Sequence, residues 1–383
     1  MTKDQGRLSA FPIAMFLAVS WTWVIGMHLP TVLMRDMGIG AWLVFALPNV
    51  IGAAAMGRLV PSAEASHEME MHHGKVMQAF AIVTVAFHVY FAVAILRQWV
   101  GEIPALVAAA ALVLCVVRPV FPDLKSAMRW SPAVWLASVL LVGVAVGIGG
   151  FEKVNAFAPG GEWVGLGIAC LFGFALCPYL DPTFHSARQA AGVRGPQTFA
   201  LGFGIFFLVM IGGTFLCASI ILDGVPRWAV ALLGGHVVWQ SIFTVSVHVR
   251  GMTELHRRTC PGACAIGGFS RPMAVGLAGA VLLALVDGLA TWFVEVPGRY
   301  DLPEIGYRVF LGFYGLIFPA YVWLAMFRRN APPTRIIWIV YAVVVVQALP
   351  FFAYGFLGGS MIWVGVGMVP VLLGKLVLRS EQT

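Results

Sequence analysis

The chain has 383 residues, 60% of them hydrophobic and only 11% charged, with a mean hydropathy of +0.89. Such an apolar fraction excludes a soluble domain and points to a helical protein with many membrane spans. The net charge of +7 does not imply nucleic acid as a partner, because the basic residues fall in short segments between long apolar runs, where membrane orientation explains them.

Met1–Arg7 is short and charged, and the apolar run after it continues to about Leu33 without an Ala-x-Ala-like exit, so it is read as a first span rather than a cleavable leader. Twelve spans are predicted, each long enough for a hydrocarbon core of ~30 Å. The first six are Phe11–Leu33, Ala41–Met56, Val76–Leu96, Ile103–Val117, Pro132–Gly149 and Trp163–Ala187. Then come Phe199–Leu222, Trp228–Val249, Met273–Val296, Tyr307–Phe327, Ile336–Phe356 and Gly359–Leu378. With the N-terminus inside, eighteen of the 24 lysines and arginines fall in inside segments and six outside. That bias places both termini in the cytoplasm, and the protein is expected in the plasma membrane, a bacterial inner membrane.

In the first span, Gly26 and Pro30 bracket His28 inside an otherwise apolar helix, so an interruption is expected near Gly26–Pro30. In the second, Pro48 and Asn49 are expected to kink the helix, with Asn49 satisfying the freed carbonyl. Gly143, Gly147, Gly149 and Gly150 in the fifth span are read as close packing between helices.

The sixth span stops behaving as a helix at Cys177-Pro178-Tyr179-Leu180-Asp181-Pro182. Each proline removes a backbone donor, and a carboxylate at this depth is costly unless it faces a cavity or a partner. Proline, an acid and freed carbonyls in one membrane helix describe a discontinuous helix with a binding site at its break; a kink with a structurally paired Asp181 is the plainer alternative. His28 is the partner expected for Asp181, to hold a solute or relay protons.

The first and sixth spans are five apart, so they cross the membrane in opposite directions, and paired interruptions in such segments are the sign of an inverted repeat. Halves of 8–150 and 161–327, with two extra helices over 334–378, would then form one membrane domain.

In the eighth span His236, Gln240 and Thr244 recur at every fourth residue and share one face, with Ser241 beside it. His88 in the third span and Asp287 in the ninth are further costly ionisable groups, Asp287 being assigned a structural role. Cys115, Cys170, Cys177 and Cys217 lie in spans and imply no disulfide framework. Two loops mix soft ligands, Ser66–Gly74 with Met, His and Glu, and His256–Cys264 with one His and two Cys. Neither supplies the four closely spaced ligands of a structural zinc site, so they are read as ordinary polar loops and no metal is expected.

The whole pattern resembles the LeuT-type fold of the amino acid–polyamine–organocation superfamily, in which two inverted five-helix repeats surround broken first and sixth helices. Among its members the sodium:solute symporters look closest, because Gly173-Phe174-Ala175, Cys177-Pro178-Tyr179 and Ser186-Ala187-Arg188 are similar to the segment at their sixth core helix. The chain departs from them in lacking an extra leading helix and in the Leu180-Asp181-Pro182 run, so their solute and ion do not carry over. The resemblance implies an all-α membrane protein of about twelve helices, with a central site between broken helices one and six. Residues expected to face a solute are Gly26, His28, Phe174, Cys177, Tyr179, Asp181, Trp239 and Gln240. By location, Ser241 and Thr244 resemble the hydroxyls that hold sodium in such transporters; packing or capping of nearby carbonyls is the alternative.

The function these features imply is secondary active transport of a small polar or charged solute, coupled to Na⁺ or H⁺, with no other cofactor. There is no Walker motif for direct use of ATP. A non-transporting sensor on the same fold is the second reading. A membrane enzyme is the third; the span histidines His28, His88, His236 and His248 form no repeated pairs for haem. Expected partners are the solute and the lipid bilayer, with the oligomeric state left open.

Overall fold

The computed structural model describes residues 9–21, 23–150, 160–223, 226–259, 271–294, 301–327 and 331–380. The first span is two helices, α1 (Ala10–Ser20) and α2 (Trp23–Met37). Next come α3 (Ile39–Leu59), α4 (Ala63–Val100), α5 (Glu102–Val117) and α6 (Leu124–Gly149). The sixth span is α7 (Gly160–Leu176), a 3₁₀ turn over Cys177–Leu180, and α8 (Pro182–Ala191). The seventh combines α9 (Gly195–Leu201), a π-helical stretch over Gly202–Phe207, α10 (Leu208–Leu216) and α11 (Ala218–Asp223). Then follow α12 (Arg227–Thr259) and α13 (Arg271–Ala290). The tenth span begins with α14 (Leu302–Gly312) and a π turn, passes through α15 (Phe318–Tyr321) and ends in a second π turn over Val322–Met326. The hairpin of α16 (Arg335–Gly358) and α17 (Met361–Ser380) completes the chain.

Ten helical stretches among the described residues are long and apolar enough to cross a membrane; α1 and α5 are shorter apolar helices. Each of the twelve expected spans lies mostly on helix where it is described. The fold class is therefore all-α, and its composition is that of an integral membrane protein. α4, α12 and the tenth span are mostly buried, whereas α6, α13 and α16 are mostly exposed, as helices facing lipid are.

Two local expectations need correction. The first span is not interrupted at Gly26–Pro30. It breaks at Trp21, whose backbone is extended (φ −67°, ψ 151°), and α2 runs on through Pro30. A proline frees one carbonyl in a membrane helix, here that of Gly26, without ending the helix; one residue on, the Thr31 hydroxyl donates to the Met27 carbonyl at 3.2 Å. Residues 66–74 are not a loop but the first turns of α4, capped by Ser62, whose hydroxyl accepts from the Ala65 amide at 3.1 Å. Ala, Glu and Met are good helix formers, and here that preference outweighs the polarity of the segment. Cys260 and Cys264, in the other soft-ligand loop, lie outside the described residues; among those described, no His, Cys, Asp and Glu cluster is built to hold a metal.

The glycines of the fifth span separate in role. A Cβ on Gly149 would stand 2.5 Å from Ile220, so α6 approaches α11 closely there, whereas Gly143 and Gly147 have open space.

Polar side chains tie the bundle at both ends. At one end Glu70 of α4 accepts from Gln189 of α8 and from Arg258 of α12, both at 2.9 Å, while the buried Arg188 donates to the carbonyls of Val60, Pro61 and Gly192. At the other, Arg308 of α14 bonds Glu304 and Asp36, and Arg35 of α2 donates twice to Glu304.

Candidate functional site

The two interrupted spans give the site its frame. α1 ends at Ser20, and the last four carbonyls of a helix have no partner within it, so its end presents oxygens and partial negative charge. Trp21, at the break, is buried; its indole donates to the side-chain oxygen of Asn49 at 2.7 Å, and its ring stands 5.1 Å from that of Phe184 on α8. Asn49 thus anchors the break of another span rather than repairing its own helix.

The break of the sixth span is built around Asp181. Its backbone is extended (φ −82°, ψ 111°), and its Oδ1 caps α8, accepting from the Thr183 amide at 2.8 Å and the Thr183 hydroxyl at 2.7 Å. The Tyr179 carbonyl, freed by the 3₁₀ turn, accepts from Nε2 of His185 at 2.9 Å. Cys177 donates through Sγ to the Tyr314 carbonyl at 3.3 Å, in the first π turn of the tenth span.

One oxygen of Asp181 remains. Oδ2 makes no hydrogen bond and lies 3.9 Å from Nε2 of His248 on α12; both side chains are fully buried. His248 also faces the carbonyl of Ser20. The broken sixth span, α12 and the end of α1 therefore converge on one buried acid and one buried base.

The rest of that face of α12 reaches the same place. Gln240 accepts from the Ser138 hydroxyl at 2.9 Å and donates through Nε2 to the Val19 carbonyl, in the last turn of α1. Thr244 lies one turn from both Gln240 and His248. The hydroxyls of Ser241 and Thr244 are buried and make no hydrogen bond. Thr31, Thr84, Ser131 and Thr253, by contrast, each donate to the carbonyl four residues earlier. Two unpartnered buried hydroxyls on the helix whose Gln240 binds the end of α1 carry oxygens of the kind a hard cation takes.

Of the residues expected to face a solute, Asp181 stands opposite His248, Gln240 binds the last turn of α1 from two turns away on α12, and Cys177 and Tyr179 form the turn before Asp181. The Tyr179 hydroxyl is buried with no partner, and its ring packs at 5.2 Å on Phe327. Phe174 is buried against Phe45, with ring centres 4.9 Å apart. Gly26 lies within α2 beyond the break. His28 is not the partner of Asp181. Its ring faces Tyr307 at 5.3 Å and Trp99 at 6.3 Å, next to the acids Glu304 and Asp301, because the break lies earlier in the chain than Gly26. Trp239 is 42% exposed on the perimeter, where it donates to the Val134 carbonyl of α6. It sits one residue before Gln240, and so on another face of α12. The partner that sequence reasoning missed, His248, had a signal: the spacing of His236, Gln240 and Thr244, extended by one turn, lands on it.

One solved structure shares the overall fold, and others are more distantly similar. A Na⁺-coupled sialic acid symporter, in a substrate-bound outward-open state, matches with a TM-score of 0.55 and 15% identity, over 96% of this chain and 90% of that one. Two variants of the manganese transporter of Eremococcus coleocola match at 12% identity with TM-scores of 0.47 and 0.45, each over 95% of this chain and 92% of theirs. No protein-family model matches the chain, and no curated protein matches it. At this level of identity what the symporter structure shares with the chain is the fold.

Proposed function

We propose that the protein is a secondary active transporter that moves a small polar or charged solute through a central site between the breaks of the first and sixth spans. The observation that carries this reading is Asp181. It is a fully buried carboxylate at a helix break, with one oxygen spent on capping α8 and the other left free opposite His248. An intramembrane ionisable group of this kind marks a solute or ion path. In this reading Oδ2 of Asp181 and the ring of His248 hold the polar or charged part of the solute, or a proton, while Gln240 keeps the end of α1 in place. Ser241 and Thr244 offer hydroxyls to a coupling Na⁺ beside the α1 carbonyls. The two halves, 8–150 and 161–327, rock against each other about the site, with both chain ends in the cytoplasm.

The test is thermal stabilisation of the purified protein by a panel of small polar and charged solutes, with and without NaCl and across pH. Stabilisation by one solute class in the parent, lost in Asp181→Asn, supports the reading, and uptake of that solute into proteoliposomes then establishes transport. Equal stabilisation of parent and variant by every solute overturns it.

A further inference from the structure

α13 and α14 both pack on α4 and leave a groove of about 540 Å³ between them, a volume typical of small-molecule pockets. It runs from Val83 and Phe313 at one end to Tyr90 and Asp287 at the other, and it lies on the perimeter, away from the helix breaks. Its walls are aliphatic and aromatic apart from two polar groups. The Tyr90 hydroxyl is already committed, donating to the Leu302 carbonyl at 3.1 Å. Asp287 is exposed to the groove, in the last turn of a candidate span, and makes no ion pair among the described residues.

The charge at this end is one-sided. Asp301 also faces Tyr90, and its carboxylate caps α14 and accepts from Gln98. Arg97, at the same end of α4, is turned to Glu102 at 3.4 Å and over the ring of Trp292 at 5.2 Å. A ligand head placed here meets a carboxylate and no free described cation, so a cation is attracted and a phosphate repelled.

We propose that this groove binds a small hydrophobic amine, with its ammonium against Asp287 and its apolar body along Phe87 and Phe313. The choice of a free amine over an ethanolamine lipid follows from the repulsion of phosphate. The site has a lever on the rest of the molecule. Ile305, Gly306 and Val309 of α14 line the groove, while Glu304 and Arg308 of the same helix hold Asp36 and Arg35 of α2. An amine in the groove therefore braces α14 from behind and favours the arrangement in which its ionic bonds to α2 are closed.

The experiment measures binding of adamantylmethylamine and of its neutral isostere adamantylmethanol to the full chain in phosphatidylcholine nanodiscs at neutral pH. The amine should bind about three- to fivefold more tightly than the alcohol. In Asp287→Asn the two should bind alike. Val309 is 44% exposed, so Val309→Trp fills the groove without displacing a buried side chain and should weaken both probes. Equal binding of the two in the parent, an amine preference that survives Asp287→Asn, or unchanged binding in Val309→Trp would each overturn the proposal. So would displacement of the amine by phosphatidylethanolamine, which would assign the groove to a lipid headgroup.

Discussion

The indole of Trp21 donates a 2.7 Å hydrogen bond to the side-chain oxygen of Asn49, and both residues are buried, so the point at which the first span stops being helical is fastened to α3. Asn49→Leu keeps the volume but leaves the indole N–H unsatisfied, at a cost of about 1–3 kcal/mol. Combining it with Trp21→Phe removes the orphaned donor, so the double variant should melt higher than the sum of the two losses requires. Apparent melting temperatures of the four proteins check this; strict additivity would mean that the bond does not hold the break.

Asp181→Asn should fold, because Asn caps a helix as well as Asp does. What it loses is the charge opposite His248. We expect any solute-induced stabilisation to fall at least about tenfold in affinity, the scale of one charge-assisted hydrogen bond. His248→Gln should do the same, and the double variant should be little worse than either, because the two residues act on one ligand. Isothermal titration with the best solute from the screen decides the matter, and independent effects would separate the pair.

Na⁺ provides a sharper contrast. Replacing Ser241 and Thr244 together with Ala removes two hydroxyls that have no protein partner, whereas Thr253→Ala removes one that donates to Val249 at 2.8 Å. Stabilisation by NaCl relative to choline chloride should vanish in the first variant and persist in the second. A parent protein indifferent to Na⁺ would reject the cation site.

Arg308 and Arg35 both touch Glu304, but their side chains are 3% and 42% exposed. Arg308→Met takes away the buried partner of Glu304 and leaves it and Asp36 to Arg35 alone, which should cost about 3 kcal/mol. Arg35→Met should cost less than about 1 kcal/mol. Thermal unfolding of the two variants in one detergent gives the order, and a reversed order would refute the assignment of depth.

The membrane fold was legible because hydropathy is summed over some twenty residues at a time, and local exceptions do not disturb it. The break at Asp181 was legible as well, because two prolines with an acid between them leave a helix few options. The break at Trp21 was not. It is fastened by a hydrogen bond to a residue 28 positions away, whereas Gly26 and Pro30 gave a stronger local signal that the fold absorbs within α2. His248 was visible as a residue but not as a partner, since its role depends on how α12 meets two other spans. Trp239 shows the converse: chemistry that suits a binding site is placed by helix phase on the perimeter.

α4 is longer than a membrane crossing requires. Its 38 residues, at 1.5 Å each, make a rod about 57 Å long, nearly twice the ~30 Å hydrocarbon core. Near its start Glu70 holds α8 and α12, and near its end Gln98 reaches Asp301, the cap of α14. A continuous helix does not shorten, so whatever shifts at either end must slide or swing past it. The rod is a built-in gauge. Spin labels at Glu64 and Gln98 should stay about 51 Å apart along the helix axis under every condition. Against that fixed length, changes in the distance from Glu64 to a label on α8 or α14 read any movement of those helices directly.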